Sequence, residues 1–184
     1  MFGRWIALGA MGCGSPGFSL THGSVATTCD FETDLAVAEA STEAYLDEAA
    51  AIADGYAPQG ACDEDADGAA MGVHYVRLAA SLDQDLDLLA PDALLYLPDG
   101  DGMRLVGIEY VRPALVDGAV AFEAPTDPDA FDEAPSLFCR PFDGPMEGHV
   151  PGQPWHYDLH VWLWADNPDG MFSAYNPAES CGDD

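Results

Sequence analysis

Two histidines and an aspartate alternate along one short stretch near the end of the chain, WHYDLHVWLW. Imidazoles and carboxylates are ligands of zinc, copper, iron and manganese, and they also transfer protons. At the two-residue period of a β-strand, His156, Asp158 and His160 share one face, whereas the other face is entirely apolar. The stretch therefore predicts a strand with one buried face and a row of metal-binding or proton-transferring groups on the other.

The spacing of this row limits what it can bind. Residues i and i+4 of an ideal strand are about 13 Å apart, so His156 and His160 cannot ligate one ion unless a bulge bends the strand. Asp158 can pair with either histidine. His-Tyr-Asp also matches the His-x-Asp motif of the two-histidine, one-carboxylate iron sites of non-haem enzymes. The third ligand would then have to be a histidine upstream in the chain, His74 or His149.

Two further short segments carry candidate ligands. The segment GVHYV contains His74, and the segment VGIEYV contains Glu109. Both segments follow the pattern Gly-x-[His/Glu]-Tyr-Val. If the segments are neighbours in a sheet, both side chains can face the same side. We therefore predict a transition-metal site with ligands drawn from His74, Glu109, His156, Asp158 and His160. Hydrogen-bonded structural histidines and metal-free acid–base catalysis are the alternatives.

The segment CDEDADG carries a second, weaker metal signal. Asp63, Asp65 and Asp67, followed by Gly68, match the start of a calcium-binding loop. A complete loop needs a glutamate at its twelfth position, where this chain has His74. Calcium is therefore a secondary candidate.

Trp162 and Trp164 continue the face that bears the histidines. Aromatic side chains at such positions belong either to the core or to the wall of a pocket. We predict that the two tryptophans line a pocket for a small molecule.

The charge of the chain excludes several partners. Its 184 residues include 33 acidic and 5 basic residues, which gives a formal net charge of −28. Such a surface repels phosphate backbones and anionic membranes, so we expect no nucleic-acid partner, and membrane attachment only through a lipid anchor.

The first residues resemble an export signal. MFGRWIALGAMGCG has one arginine, a short apolar run and small residues before Cys13, the residue that a lipoprotein signal would lipidate. We predict a signal over 1–13, a tether over 14–29, and an exported protein. Four cysteines then remain, Cys29, Cys62, Cys139 and Cys181, an even number that suits two disulfides with three possible pairings.

The remaining residues, 30–184, predict one α+β domain. Helical periodicity predicts one long helix over roughly 34–54, and 58–70 is predicted to be a loop. Alternating segments, one of them a hairpin across PDGDG, predict a mostly antiparallel and barrel-like sheet. The aperiodic segment 124–155 is expected to wrap the domain or to cover a site.

The motifs GVHYV, LVGIEYV and PWHYDLHVWLWADNPDG, together with the alanine-rich segment ending in ADGYAP, resemble a group of small, uncharacterised exported bacterial proteins. The resemblance spans roughly residues 34–181. It implies a single exported domain and no particular activity.

These observations predict an exported metal-binding protein and, more specifically, a mononuclear metalloenzyme that acts on a small molecule. The alternative is a non-catalytic acidic binding or surface module, with structural histidines and at most weak calcium binding.

Overall fold

A computed structural model describes residues 29–77 and 83–182. The predicted signal over 1–13, its Cys13 and nearly all of the predicted tether lie outside these residues. None of the helices in the described ranges is long and apolar enough to cross a membrane.

The predicted long helix is wrong, because the helical segment is divided. Helix α1 spans Phe31–Thr42, a 3₁₀ turn spans Glu43–Leu46, and helix α2 spans Glu48–Ala53. At the break, the Thr42 hydroxyl donates to the carbonyl oxygen of Ala38, a bond that competes with regular helix geometry. Asp47 is extended, and its carboxylate accepts from the N–H of Ala49, so it caps α2 as a separate helix.

The rest of the domain is mainly a six-stranded antiparallel sheet, curled into a half-barrel. This confirms the mixed α+β class and the mostly antiparallel sheet. Its strands are β1 (Ala57–Glu64), β2 (Ala70–Val76), β3 (Ala93–Asp99), β4 (Gly102–Pro113), β9 (Asp143–Met146) and β10 (His156–Val161). They are hydrogen-bonded in the order β1-β2-β3-β4-β10-β9.

Two small hairpins lie within the connections. They are formed by β5 (Leu115–Val116) with β6 (Ala119–Val120), and by β7 (Ser136–Leu137) with β8 (Arg140–Pro141). A short 3₁₀ turn, Pro128–Ala130, lies between the two hairpins. The β3–β4 hairpin turns at Gly100 and Asp101, as the Asp-Gly signal predicts.

The segment 58–70, predicted as a loop, begins instead with strand β1. This edge strand is mostly exposed and consists of small or polar residues and one proline, so it lacks the apolar alternation that marks a half-buried strand. Its pairing with β2 is irregular between Gln59 and Glu64.

The two faces of the sheet differ. The helices pack on a face rich in tyrosine and leucine, where the fully buried side chains include Tyr96, Tyr110 and Leu159. On the opposite face, a smaller apolar cluster contains Leu95, Val106 and Trp162. The polar row of β10 lies on this second face.

Two disulfides join distant parts of the chain, Cys29 with Cys139 and Cys62 with Cys181. The first ties the segment just before α1 to the connection between β7 and β8. The second ties edge strand β1 to the chain end. Two disulfides are typical of proteins from an oxidising compartment.

Candidate metal centre

Three predicted ligands from three different strands converge on the second face of the sheet. His74 lies on β2, Glu109 on β4 and His160 on β10, and their ligand atoms all lie within 4.8 Å of one another. Glu109 is paired directly with His160 on one side and with Ala93 of β3 on the other. On β3, His74 is paired with Leu95, so its imidazole approaches the Glu109 carboxyl group diagonally across this strand.

The distances within this group suit coordination better than hydrogen bonding. His74 Nε2 lies 3.5 Å from one oxygen of Glu109, and His160 Nε2 lies 3.8 Å from the other. Two ligands of one tetrahedral zinc ion are about 3.3 Å apart, since each lies about 2.0–2.1 Å from the metal. The Nε2 atom of His160 is buried without a hydrogen-bond partner among the described residues, which is costly for a polar atom.

Two glycines allow the strands to approach closely at this group. A Cβ atom on Gly72 would lie 2.8 Å from the carbonyl oxygen of Tyr96, and one on Gly107 would lie 2.8 Å from that of Val161. Each glycine precedes a candidate ligand by two residues. The shared Gly-x-[His/Glu]-Tyr-Val pattern thus marks two similar positions, a close backbone contact followed by a ligand.

Burial sets the protonation of this group. It lowers the pKa of His74 to about 4 and that of His160 to about 3, so both imidazoles are neutral and can act as ligands at neutral pH. Burial also raises the pKa of Glu109 well above its usual value, and the neighbouring carboxylates of Asp158 and Asp92 raise it further. A cation at this position would favour the ionised carboxylate.

His156 and Asp158 belong to a second group, whose third member is His149 from the loop before β10. His156 Nε2 lies 3.9 Å from Asp158 Oδ2. The other oxygen of Asp158 lies 3.9 Å from Nδ1 of His160, so this aspartate stands between the two groups. Burial raises the pKa of Asp158 to about 7 and lowers that of His156. His156 and His160 thus fall in separate groups, as the geometry of a strand requires.

A cavity of about 550 Å³ borders both groups. His74 and Glu109 line it on the sheet, and loop residues 149–153 line it as well. Segment 124–155 therefore contributes to covering the site face. Most of the remaining lining is small or aliphatic, including Ala61, Val76 and Val111.

Trp162 and Trp164 do not line this cavity. Trp162 lies on the same face of the sheet as the histidines, but both tryptophans follow Val161, the last residue of β10. Trp162 packs in the smaller apolar cluster, donates to the carbonyl oxygen of Ser173, and borders a separate depression. Trp164 packs against the larger core cluster.

The three aspartates of the calcium-like motif do not converge on one point. Asp63 lies on β1 and borders the cavity, whereas Asp65 Oδ1 accepts from the N–H groups of Asp67 and Ala69 and shapes the turn between β1 and β2. Within the described ranges, the motif forms no group of three close carboxylates.

Two residues of the site are not among the main ligands predicted from the sequence. His149 is predicted only as an alternative ligand, and Asp92 is not predicted at all. Asp92 is 4% exposed, lines the cavity, and accepts from the N–H of Val111. Burial raises its pKa to about 6. Neither residue lies in a periodic segment, so only the tertiary fold brings them to the site.

Comparisons with family models, with curated protein sequences and with solved structures find no match to this chain. The resemblance to small exported bacterial proteins therefore stays a prediction, and the chemistry of the site follows from its own geometry.

Proposed function

We propose that this protein binds a divalent transition-metal ion through His74, Glu109 and His160. The observation that carries the proposal is the convergence of two imidazole Nε2 atoms on the two oxygens of one buried carboxyl group. The Nε2 atom of His160 has no hydrogen-bond partner among the described residues. A metal ion would provide that partner.

The donor set indicates the class of metal. Two imidazoles and one carboxylate suit zinc, iron, copper or manganese, whereas calcium and magnesium prefer sites built from oxygen. Histidine pairs with one carboxylate also form the facial triad of mononuclear iron enzymes and the ligand set of several zinc hydrolases.

Three protein ligands leave coordination positions for water, dioxygen or a substrate, as catalytic sites require. Two of the ligands line the cavity, which has room for a small molecule. Its described lining contains Asp63, Asp92 and Glu109 but no lysine or arginine, so it favours an uncharged or cationic compound over an anion. We therefore extend the proposal to a metalloenzyme acting on such a compound.

The proposal includes export. The two disulfides support it, because such bonds persist in oxidising compartments. The signal-like first residues support it from the sequence.

Elemental analysis by ICP-MS tests the metal proposal, on protein produced with its leader and purified without a polyhistidine tag. We expect at least one zinc, copper, iron or manganese ion per chain after desalting, and one equivalent fewer in a His74→Ala variant. The matched control is Gln59→Ala, because Gln59 is the β1 partner of His74 and borders the same cavity. A wild type that stays free of transition metal after reconstitution would instead support the acidic binding or surface module.

A further inference from the structure

A second set of metal-binding groups lies beside the first, on the same strand face. It consists of His149, His156 and Asp158, whose ligand atoms lie within 4.8 Å of one another. The imidazole rings of His149 and His156 have centroids 5.0 Å apart and are nearly perpendicular, at 74°. We propose that these three residues form a second binding site for a divalent transition metal.

The orientation of His156 favours this use. Its Nδ1 lies 3.2 Å from the carbonyl oxygen of Pro154, an acceptor, so the proton is held on Nδ1. The lone pair of Nε2 is then free and faces Asp158 Oδ2 at 3.9 Å, too far for a hydrogen bond. Metal-binding histidines are usually held in this way by a backbone carbonyl on the other nitrogen.

Burial makes the pair unusual. His156 is 1% exposed and Asp158 is 3% exposed. These two buried groups face each other beyond hydrogen-bond range, so no direct hydrogen bond joins them. An ion between them would satisfy both groups.

The third ligand comes from a different kind of element. His149 is exposed and lies in the loop before β10, where its backbone N–H donates to Gln153 Oε1 at 2.8 Å. Val150 donates to the same oxygen at 3.3 Å, so Gln153 holds the loop in a tight turn. An ion bound by His149 would therefore fasten the wall of the cavity to the sheet.

The two sites can be filled together. His156 and His160 point their Nε2 atoms into different groups, and Asp158 approaches the first group only through Nδ1 of His160. This second site uses no ligand of the first, so it does not depend on the proposed function. Its two imidazoles and one carboxylate again select zinc, copper, iron or manganese over calcium.

Isothermal titration calorimetry with zinc, on the metal-stripped full-length protein, tests the second site. We expect two equivalents for the wild type and one for His149→Ala. Because His149 is exposed, this variant should fold, and circular dichroism checks that it does. Val150→Ala is the matched control, since Val150 lies in the same loop and offers no ligand; it should keep both equivalents.

Two outcomes separate this proposal from the first. If His149→Ala binds as many equivalents as the wild type, while His74→Ala binds one fewer, the second site is refuted and the first stands. If His74→Ala loses nothing and His149→Ala loses one equivalent, the second site stands and the first is refuted. A His156→Gln variant, which keeps a buried polar side chain, should reproduce the loss seen in His149→Ala.

Discussion

Glu109 and His160 lie directly opposite each other on β4 and β10, with the carboxyl Oε1 atom 3.8 Å from the imidazole Nε2 atom. Both side chains are almost completely buried, at 5% and 2% exposure. A structural pair at this position would be expected to form a hydrogen bond, because an unpaired buried polar group costs about 1–3 kcal/mol. The separation is instead close to that of two ligands on one ion.

Replacing Glu109 with glutamine tests this relationship. Burial raises the pKa of Glu109 well above its usual value and so favours the neutral acid, which glutamine resembles in shape. We expect the stability of the metal-free protein to change little. Zinc at 100 times its Kd should stabilise the wild type by about 2.7 kcal/mol. For a domain of this size, this contribution of the first site corresponds to a rise in Tm of roughly 5–10 °C. The variant should lose most of that contribution and keep the part that the second site provides.

Thermal denaturation with and without zinc measures both quantities. The control is Asp143→Asn, which removes an exposed carboxylate from the neighbouring strand β9. If Glu109→Gln lowered the stability of the metal-free protein and kept the zinc-dependent rise in Tm, Glu109 would have a purely structural role.

Asp92 gives a prediction for pH dependence. Burial raises its pKa to about 6 in the folded protein, against 3.8 as its ordinary value. The folded state therefore holds the proton more tightly than the unfolded state. The stability that this group contributes is fully present below pH 4 and is lost as the pH rises to about 6 and above.

The Asp92→Asn variant removes this dependence, and its amide oxygen can still accept from the N–H of Val111. We expect equal stability for the two proteins near pH 4 and a more stable variant at pH 7.5, by up to about 3 kcal/mol at 1.4 kcal/mol per pKa unit. Urea unfolding in the presence of a chelator, at both pH values, measures the difference. A difference in stability that did not vary with pH would show that folding leaves the pKa of Asp92 unchanged.

The strands of the central hairpin could be predicted from the sequence, whereas the break in the helical segment could not. Segments such as ALLYLPDGDGMRLVGIEYV alternate and turn at Asp-Gly pairs, and these local rules predict the central hairpin. The break at Thr42–Asp47 depends on side-chain bonds to the backbone, which periodicity does not detect. Edge strand β1 has too little apolar surface to be recognised.

For the candidate site, too, local sequence patterns predict only part of the arrangement. The strand period separates His156 from His160, and the structure places them in different groups. The partners of each histidine depend on which strands are neighbours, and on a loop that carries His149. The alternation places Trp162 on the histidine face but fails for Trp164, which lies beyond the end of β10 at Val161 and packs against the larger core cluster.

The disulfides provide a prediction that links stability to the site. Each bond closes a loop of more than 100 residues, at sequence separations of 110 and 119. Chain-entropy reasoning assigns about 4–5 kcal/mol to such a loop. We expect the double variants Cys62→Ala/Cys181→Ala and Cys29→Ala/Cys139→Ala to lose comparable stability in urea unfolding.

The two double variants should differ in metal affinity. Cys62 lies on β1 and borders the cavity, and β1 pairs with the strand that carries His74. Loss of the Cys62–Cys181 bond should therefore weaken zinc binding several-fold in calorimetry, whereas loss of the Cys29–Cys139 bond should leave it nearly unchanged. Equal effects of the two variants would mean that β1 does not support the site.

Gly107 tests whether close strand contact positions the first group. A Cβ atom there would lie 2.8 Å from the carbonyl oxygen of Val161 and 3.4 Å from Cα of Trp162, so Gly107→Ala must push β10 away from β4. We expect a loss of about 1–3 kcal/mol, the usual cost of overpacking. Since the shift separates His160 from Glu109, zinc affinity should fall about tenfold, which corresponds to 1.4 kcal/mol.

Gly102→Ala on the same strand is the control, because its nearest contact for a Cβ is an ordinary 3.9 Å. A Gly107→Ala variant that lost stability but bound zinc as tightly as the wild type would show that the metal ligands adjust independently of the spacing between β4 and β10.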